Sequence, residues 1–208
     1  MARYKDAVCK LCRREREKLF LKGQKCVSEK CPVEKKPYPP GEHGQRRVKE
    51  TQYLIQLREK QKAKNSYGVL EKQFRRYYEI AARKKGITGE NLLQLLESRL
   101  DNIIYRAGFA ASRADARQLV RHNHVKVNDG RVNIPSYLTK EGDVVAIVDK
   151  SKELLRIQSF LNNKARQEIP DWLRVDDQKL TVQINYLPAR DDIAFPVKEQ
   201  LIVELYSK

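Results

Sequence analysis

"SRADARQLVRHNHVKVNDGRVNIPSYLTKEGDVVAIVD", residues 112–149, changes its periodicity twice in one short stretch. Ser112 followed by Asp115 has the form of a helix N-cap, in which a hydroxyl accepts early backbone N–H groups and an acid answers three residues on. The short helix that follows carries Arg113, Arg117 and Arg121 at i, i+4 and i+8, a spacing that predicts one cationic stripe. His122 and His124 stand at its end. Val125, Val127, Val132 and Ile134 then alternate around Asp129-Gly130, which signals a tight β-hairpin, and Gly142-Asp143 turns the chain into the apolar strand 144–148. A basic helix beside a small sheet makes this part of the chain α+β.

Upstream the pattern is helical. "TGENLLQLLESRLDNIIYRAGF", residues 88–109, predicts one amphipathic helix through Leu93, Leu96, Leu100, Ile103 and Ile104, ended by Gly108. In residues 68–86, Leu70, Phe74, Tyr77, Tyr78 and Ala81 form an apolar stripe with Lys72, Arg75, Arg76 and Arg83 around it. The two tyrosines read as packing rather than base-stacking residues. Residues 52–68 place Leu54 and Leu57 on one side and Arg58, Lys60, Lys62 and Lys64 on the other. Downstream, Leu154, Ile157 and Leu161 predict a further helix, and loops with short strands surround Trp172. The final "VKEQLIVELYSK" is too short to be assigned to helix or strand by periodicity.

"CKLCRREREKLFLKGQKCVSEKC", residues 9–31, holds every cysteine of the chain, Cys9, Cys12, Cys26 and Cys31, in a C-x2-C-x13-C-x4-C pattern. Two close pairs separated by such a gap can converge on one tetrahedral cation, and neighbouring lysines and arginines favour the thiolate form. The pattern predicts one structural zinc, with an iron–sulfur cluster as the alternative, rather than a redox dithiol, which would need a βαβ setting. Four free thiols or a disulfide are the remaining readings. In so small a segment a metal would replace a hydrophobic core. Residues 37–51, "PYPPGEHGQRRVKET", are rich in proline and glycine and predict an extended basic linker.

The 208 residues carry 43 Lys and Arg against 27 Asp and Glu, a formal net charge of +16. Residues 1–90 alone hold a net +14, and residues 106–131 hold six basic residues against two acidic ones. Basic charge concentrated in this way is the footprint of a nucleic-acid binder. Guanidinium groups on a rigid helix and hairpin suit phosphates and the shallow groove of A-form RNA. Neither an 18-residue apolar run nor a secretory signal is present, so the expected setting is the cytoplasm, with no membrane partner. No nucleophile elbow, zinc-protease motif, P-loop or dinucleotide fingerprint occurs, and His43, His122 and His124 lack partners at catalytic spacing, so no enzyme is expected. A zinc-dependent DNA-binding transcription regulator is the competing class; it would need base-reading residues on a groove helix.

The stretch from Ser98 to Ile147 resembles the αL RNA-binding module named after the fourth protein of the small ribosomal subunit. "MARY", "CKLCRRE", "YPPGEHG", "QLREKQK", "YGVLEKQFRRYY", "LLESRLDNIIYRAGF" and "EQLIVELYSK" are similar to the bacterial-type family of that protein from end to end, in its four-cysteine, zinc-binding branch. The resemblance implies an α+β fold: a mainly helical first domain with an N-terminal metal-binding segment, and an inserted RNA-binding domain with a small β-sheet. Its parts would be a metal-binding segment 1–36, a linker 37–50, a helical domain 51–97 joined by 196–208, and a second domain 98–195 with the module at 98–150. It implies binding to small-subunit (16S-type) ribosomal RNA, nucleation of subunit assembly, contact with mRNA where it enters the subunit, the third and fifth small-subunit proteins as neighbours, and an influence on translational accuracy. The RNA-contacting set expected from charge and resemblance is Arg3, Arg13, Arg14, Arg46, Arg47, Lys49, Lys60, Lys62, Arg75, Arg76, Arg99, Ser112, Arg113, Arg117, Gln118, Arg121, His122, Lys126 and Arg131.

Overall fold

The computed structural model describes residues 3–46, 49–161 and 169–207. Arg47, one of the expected RNA contacts, lies outside the described residues. The chain divides into two compact units, Met1–Leu92 with Phe195–Lys208, and Leu93–Ala194. The division falls inside a helix, a few residues before the expected one.

The first unit is helical. Three short helices, α1 (Cys9–Glu15), α2 (Gln24–Val27) and α3 (Pro32–Lys35), surround the cysteine segment. Its core is small: Cys12, Leu19, Cys31 and Val33 with Leu21 packed against them. Residues 37–46 are not extended as expected. They turn back at residues 42–45, with Gly44 N–H donating to Gly41 O at 3.2 Å. A Cβ on Gly44 would lie 2.0 Å from Pro39 O, so only glycine permits this return.

Two longer helices follow, α4 (Gln52–Ser66) and α5 (Glu71–Arg83). Thr51 caps α4, its Oγ1 accepting the Leu54 N–H at 3.3 Å. The buried side of α4 is mostly polar, with Gln56, Lys60 and Ser66 beside Ala63, and it faces the C-terminal helix. That C-terminal segment is α10 (Glu199–Tyr206), which resolves the ambiguity left by its short pattern. Gln56 Nε2 donates to Glu204 at 2.8 Å, and Tyr206 O–H donates to Glu71 Oε1 at 2.8 Å. The Tyr206 ring stacks on Tyr78 and Phe74, and Tyr67 meets Phe195 edge-on. Tyr78 packs through this stack and Tyr77 is buried, as their position on the stripe predicts.

α6 (Thr88–Glu97) and α7 (Leu100–Arg106) replace the single helix expected over 88–107. Arg99 takes extended angles and forms an isolated bridge with Leu138, while Thr139 N–H and Oγ1 both donate to Ser98 O at 2.9 Å. The break is compensated by these tertiary hydrogen bonds, which periodicity does not report.

In the second unit α8 (Arg113–Arg121) precedes a five-stranded antiparallel sheet of order β2-β1-β3-β5-β4. Its strands are β1 (Val125–Val127), β2 (Gly130–Arg131), β3 (Val144–Ile147), β4 (Leu173–Asp176) and β5 (Thr181–Ile184). A short 3-10 turn, Asp149–Ser151, and α9 (Leu155–Leu161) follow β3. Alternation puts Val125, Val127, Val145, Ile147, Val182 and Ile184 on one face, buried with Trp172 and with Ile103, Ile104, Leu119 and Val120 of α7 and α8. Each such side chain contributes about 1.5–3 kcal/mol on leaving water.

Candidate RNA-binding surface and cysteine segment

The β1–β2 turn is set by Asn128 and Asp129, at φ 47° and 68°, and not by Asp129-Gly130 as expected; Gly130 pairs with Val127. Two central residues with positive φ give the twist a tight hairpin needs. Asn128 then joins the hairpin to the next turn: its Nδ2 donates to Asp143 Oδ1 at 2.8 Å and its Oδ1 accepts the Val144 N–H at 2.9 Å. On this clamped hairpin Lys126 and Arg131 are direct cross-strand partners. Like charges opposite one another are unfavourable unless an anion sits between them. Asp129, 96% exposed and 3.4 Å from Lys126 Nζ, relieves little of that repulsion.

Ser112 caps α8 as its sequence predicts. Its hydroxyl accepts the Asp115 N–H at 3.3 Å, and Asp115 Oδ2 accepts the Ala111 N–H at 3.0 Å. Ser112 is buried, so this cap is its role in the fold, in place of the expected RNA contact. The cationic stripe on α8 is divided. Arg113 lies over the Tyr105 ring at 4.6 Å and donates Nε to Asn102 Oδ1 at 2.8 Å. Arg117 is buried on the inner side of the helix. Gln118, Arg121 and His122 are exposed. His122 stacks on His124 with ring centroids 6.2 Å apart, and His124 Nδ1 is 2.8 Å from Ser151 Oγ. Burial, then the neighbouring His122, holds His124 below the usual imidazole range.

A polar network absent from the sequence reading anchors Arg113. Glu97 receives Arg106 through both oxygens, at 2.7 and 3.1 Å, and Asn102 Nδ2 at 2.6 Å. Arg99 is fully buried and forks onto Asp101 at 2.9 and 2.6 Å, so it holds the fold and is not presented to RNA.

Other expected contacts are used internally in the first unit. Lys60 is buried and donates to Glu71 at 2.7 Å, and Lys62 reaches Glu17 at 2.7 Å. The basic face of α4 is thus an ion-paired face, because acids distant in sequence meet it. Arg13 is tied to Lys36 O and Tyr38 O at 3.2 and 3.1 Å and lies over the Tyr38 ring. Arg3, Arg14, Arg46, Lys49, Arg75, Arg76 and Arg131 are exposed, with Arg75 in a solvent-facing pair with Glu79.

The four cysteines are free thiols; Cys12, Cys26 and Cys31 are buried and Cys9 is partly so. Lys22 N–H donates to Cys26 Sγ at 3.2 Å. Burial raises the thiols of Cys12 and Cys26, and the other cysteines, close enough to repel, raise them further. Among the described residues no group of three or more His, Cys, Asp or Glu stands in a metal-ligating arrangement. The chemistry of the set still fits a soft cation: thiol donors, mostly buried, with a backbone N–H directed at sulfur.

A helical unit with a four-cysteine front segment, and a second unit pairing a capped basic helix with a cationic hairpin, define an RNA-binding protein of the S4-domain class. Residues 3–97 match the family described as Ribosomal protein S4/S9 N-terminal domain, and residues 98–145 match the S4 domain. The chain is 61% identical to the small ribosomal subunit protein uS4 of Acidothermus cellulolyticus, over 208 residues and the whole of both chains. It is 58% and 57% identical, again over the whole of both chains, to the proteins of that name from Ruminiclostridium cellulolyticum and Acetivibrio thermocellus. The chain belongs to the uS4 family of small ribosomal subunit proteins.

Proposed function

We propose that this protein is a structural, non-enzymatic constituent of the small ribosomal subunit and a direct binder of its ribosomal RNA. The carrying observation is the clamped hairpin, which holds Lys126 and Arg131 side by side where a phosphate would relieve their repulsion. Arg121, Gln118 and His122, exposed near the end of α8, extend that surface. No described helix is long and apolar enough to cross a membrane. Binding of the full chain to a small-subunit RNA fragment across a salt series tests this reading. Lys126→Glu with Arg131→Glu should weaken binding and flatten its salt dependence; unchanged binding would sink the hairpin's role.

The finer roles rest on family membership. They are early nucleation of subunit assembly, contact with incoming mRNA through Arg46 and Lys49, adjacency to the third and fifth small-subunit proteins, an effect on accuracy, and residence in the cytoplasm. The exposure of Arg46 and Lys49 supports the mRNA contact. Omission of this protein from a subunit reconstitution tests nucleation: later proteins should fail to join.

The same reading gives Cys9, Cys12, Cys26 and Cys31 one structural zinc. The ion would replace four protons and remove the mutual repulsion that raises Cys12 and Cys26. Metal analysis of gently purified protein should return one zinc per chain. A visible absorption band would assign an iron–sulfur cluster instead.

A further inference from the structure

Phe20 stands between two residues that face inward. Leu19 belongs to the small core of the cysteine segment and Leu21 packs against it, while Phe20 is 48% exposed. Its ring has no aromatic or cationic partner among the described residues. Its backbone is left-handed, at φ 51°, a conformation that is costly for a bulky side chain and that glycine adopts freely. The chain is fastened on both sides of it. The Leu19 N–H is directed at the Cys12 sulfur, and the Lys22 N–H donates to Cys26 Sγ at 3.2 Å. A backbone in such a conformation persists only where its surroundings over-determine it, and residues of this kind gather at functional sites.

We infer that Phe20 is a stacking platform for one unpaired base of RNA. The inference rests on the RNA-binding role proposed above. The charge of the segment selects that partner. Residues 9–36 hold ten Lys and Arg against four acids. Three of those acids are already ion-paired: Glu15 with Arg58, Glu17 with Lys62 and Glu34 with Lys18. Glu29 is the fourth, and it is exposed. Arg16, Lys22 and Lys25 are exposed as well, so cations outnumber acids on the surface that carries the ring. An outward aromatic among excess cations suits a partner that offers phosphates beside a flat apolar face, and an unstacked base of RNA offers both. Stacking tolerates any base, because every base has a π-face, so the platform needs no hydrogen-bonding edge and no buried donor.

Nuclear magnetic resonance of the full chain tests the platform, with single-stranded hexaadenylate and an abasic hexaribonucleotide of the same charge as probes. Hexaadenylate should move the Phe20 ring protons upfield, and the abasic strand should leave them in place. Filter binding of a small-subunit RNA fragment reads the variants. Phe20→Leu, apolar but without a ring, should weaken binding about five- to a hundredfold, and Phe20→Tyr should stay within about twofold of the parent. Phe20→Gly should lose affinity like Phe20→Leu while its denaturation midpoint stays at or above the parent's, because glycine relieves the left-handed backbone. That separates lost recognition from lost folding. Equal shifts from the abasic strand, or parent-like binding by Phe20→Leu, would overturn stacking. Parent-like RNA binding by Phe20→Leu with failure to enter the small subunit would assign the ring to a protein neighbour instead. In these cases binding of the RNA fragment by the parent keeps the general RNA-binding role and sinks the platform alone; no binding by the parent sinks both.

Discussion

The Arg99 guanidinium and the Asp101 carboxylate form a two-pronged ion pair, Nε to Oδ1 at 2.9 Å and Nη2 to Oδ2 at 2.6 Å, with neither side chain more than 3% exposed. It sits at the break between α6 and α7, where Arg99 also bridges to Leu138. Removing one partner strands a buried charge. Arg99→Ala should destabilise the protein by about 3–5 kcal/mol, measured by denaturant unfolding. A loss under 1 kcal/mol, with weaker RNA binding, would return Arg99 to the RNA-contacting set.

The two arginines of α8 should separate in their effects. Arg121→Glu, on an exposed site, should weaken RNA binding severalfold and leave the free energy of unfolding within about 0.5 kcal/mol of the parent. Arg117→Glu places a carboxylate at a buried site and should lower stability by more than 2 kcal/mol. Thermal unfolding and filter binding on both variants check the split; identical behaviour would mean that the stripe is undivided.

Glu15 gives a pH dependence of defined sign. Burial, outweighing Arg58 and Arg14, raises its carboxyl from 4.5 to about 7. The folded state therefore holds its proton more tightly than the unfolded chain. This contribution is full below pH 4.5 and is lost as pH rises through about 7, an effect on the order of 3 kcal/mol. Glu15→Gln cannot lose that proton, so its stability relative to the parent should rise between pH 5 and pH 8. A relative stability independent of pH would refute the assignment.

Tyr206→Phe removes the O–H that meets Glu71 and keeps the ring stack on Tyr78. The expected loss is about 1 kcal/mol. Tyr206→Ala, which also empties the stack, should cost about 3–5 kcal/mol and free the C-terminal helix. Hydrogen exchange along α10 distinguishes the two.

Metal removal should act locally. If the cysteines hold zinc, a chelator should expose amides in residues 9–35 to exchange while the sheet of the second unit stays protected. Cys12→Ser should reproduce that pattern without chelator. Exchange unchanged by either treatment would argue for a segment held by its small apolar core alone.

The elements read from local chemistry survive in part: the Ser112 cap, the tyrosine stripe of α5, and the alternation at Val125 and Val127, though β2 ends at Arg131 and Ile134 is exposed. What failed was decided at a distance. Arg99 looked like one more residue of a long amphipathic run, but Leu138 and Thr139, some forty positions on, supply the hydrogen bonds that break it. Lys60 and Lys62 looked like free cations because Glu71 and Glu17 meet them only after folding. For the candidate site, exposure separates Arg121 and Arg131 from Arg117, and a sequence carries charge without exposure. The Glu15–Arg58 pair left no signal of its own: both residues lie in stretches that carry the family resemblance, but they meet only after folding.

If RNA binds at the opposed Lys126 and Arg131, the free protein and its complex should respond oppositely to ionic strength. Salt screens the repulsion across the β1–β2 ladder, so the hairpin of the unbound chain tightens as salt is added. The same ions compete for the phosphates that would otherwise sit between those two side chains, so the complex loosens. The ladder is therefore most frustrated at low salt, the condition under which RNA is held most firmly. There a bound polyanion would complete the strand pairing as well as bind to it.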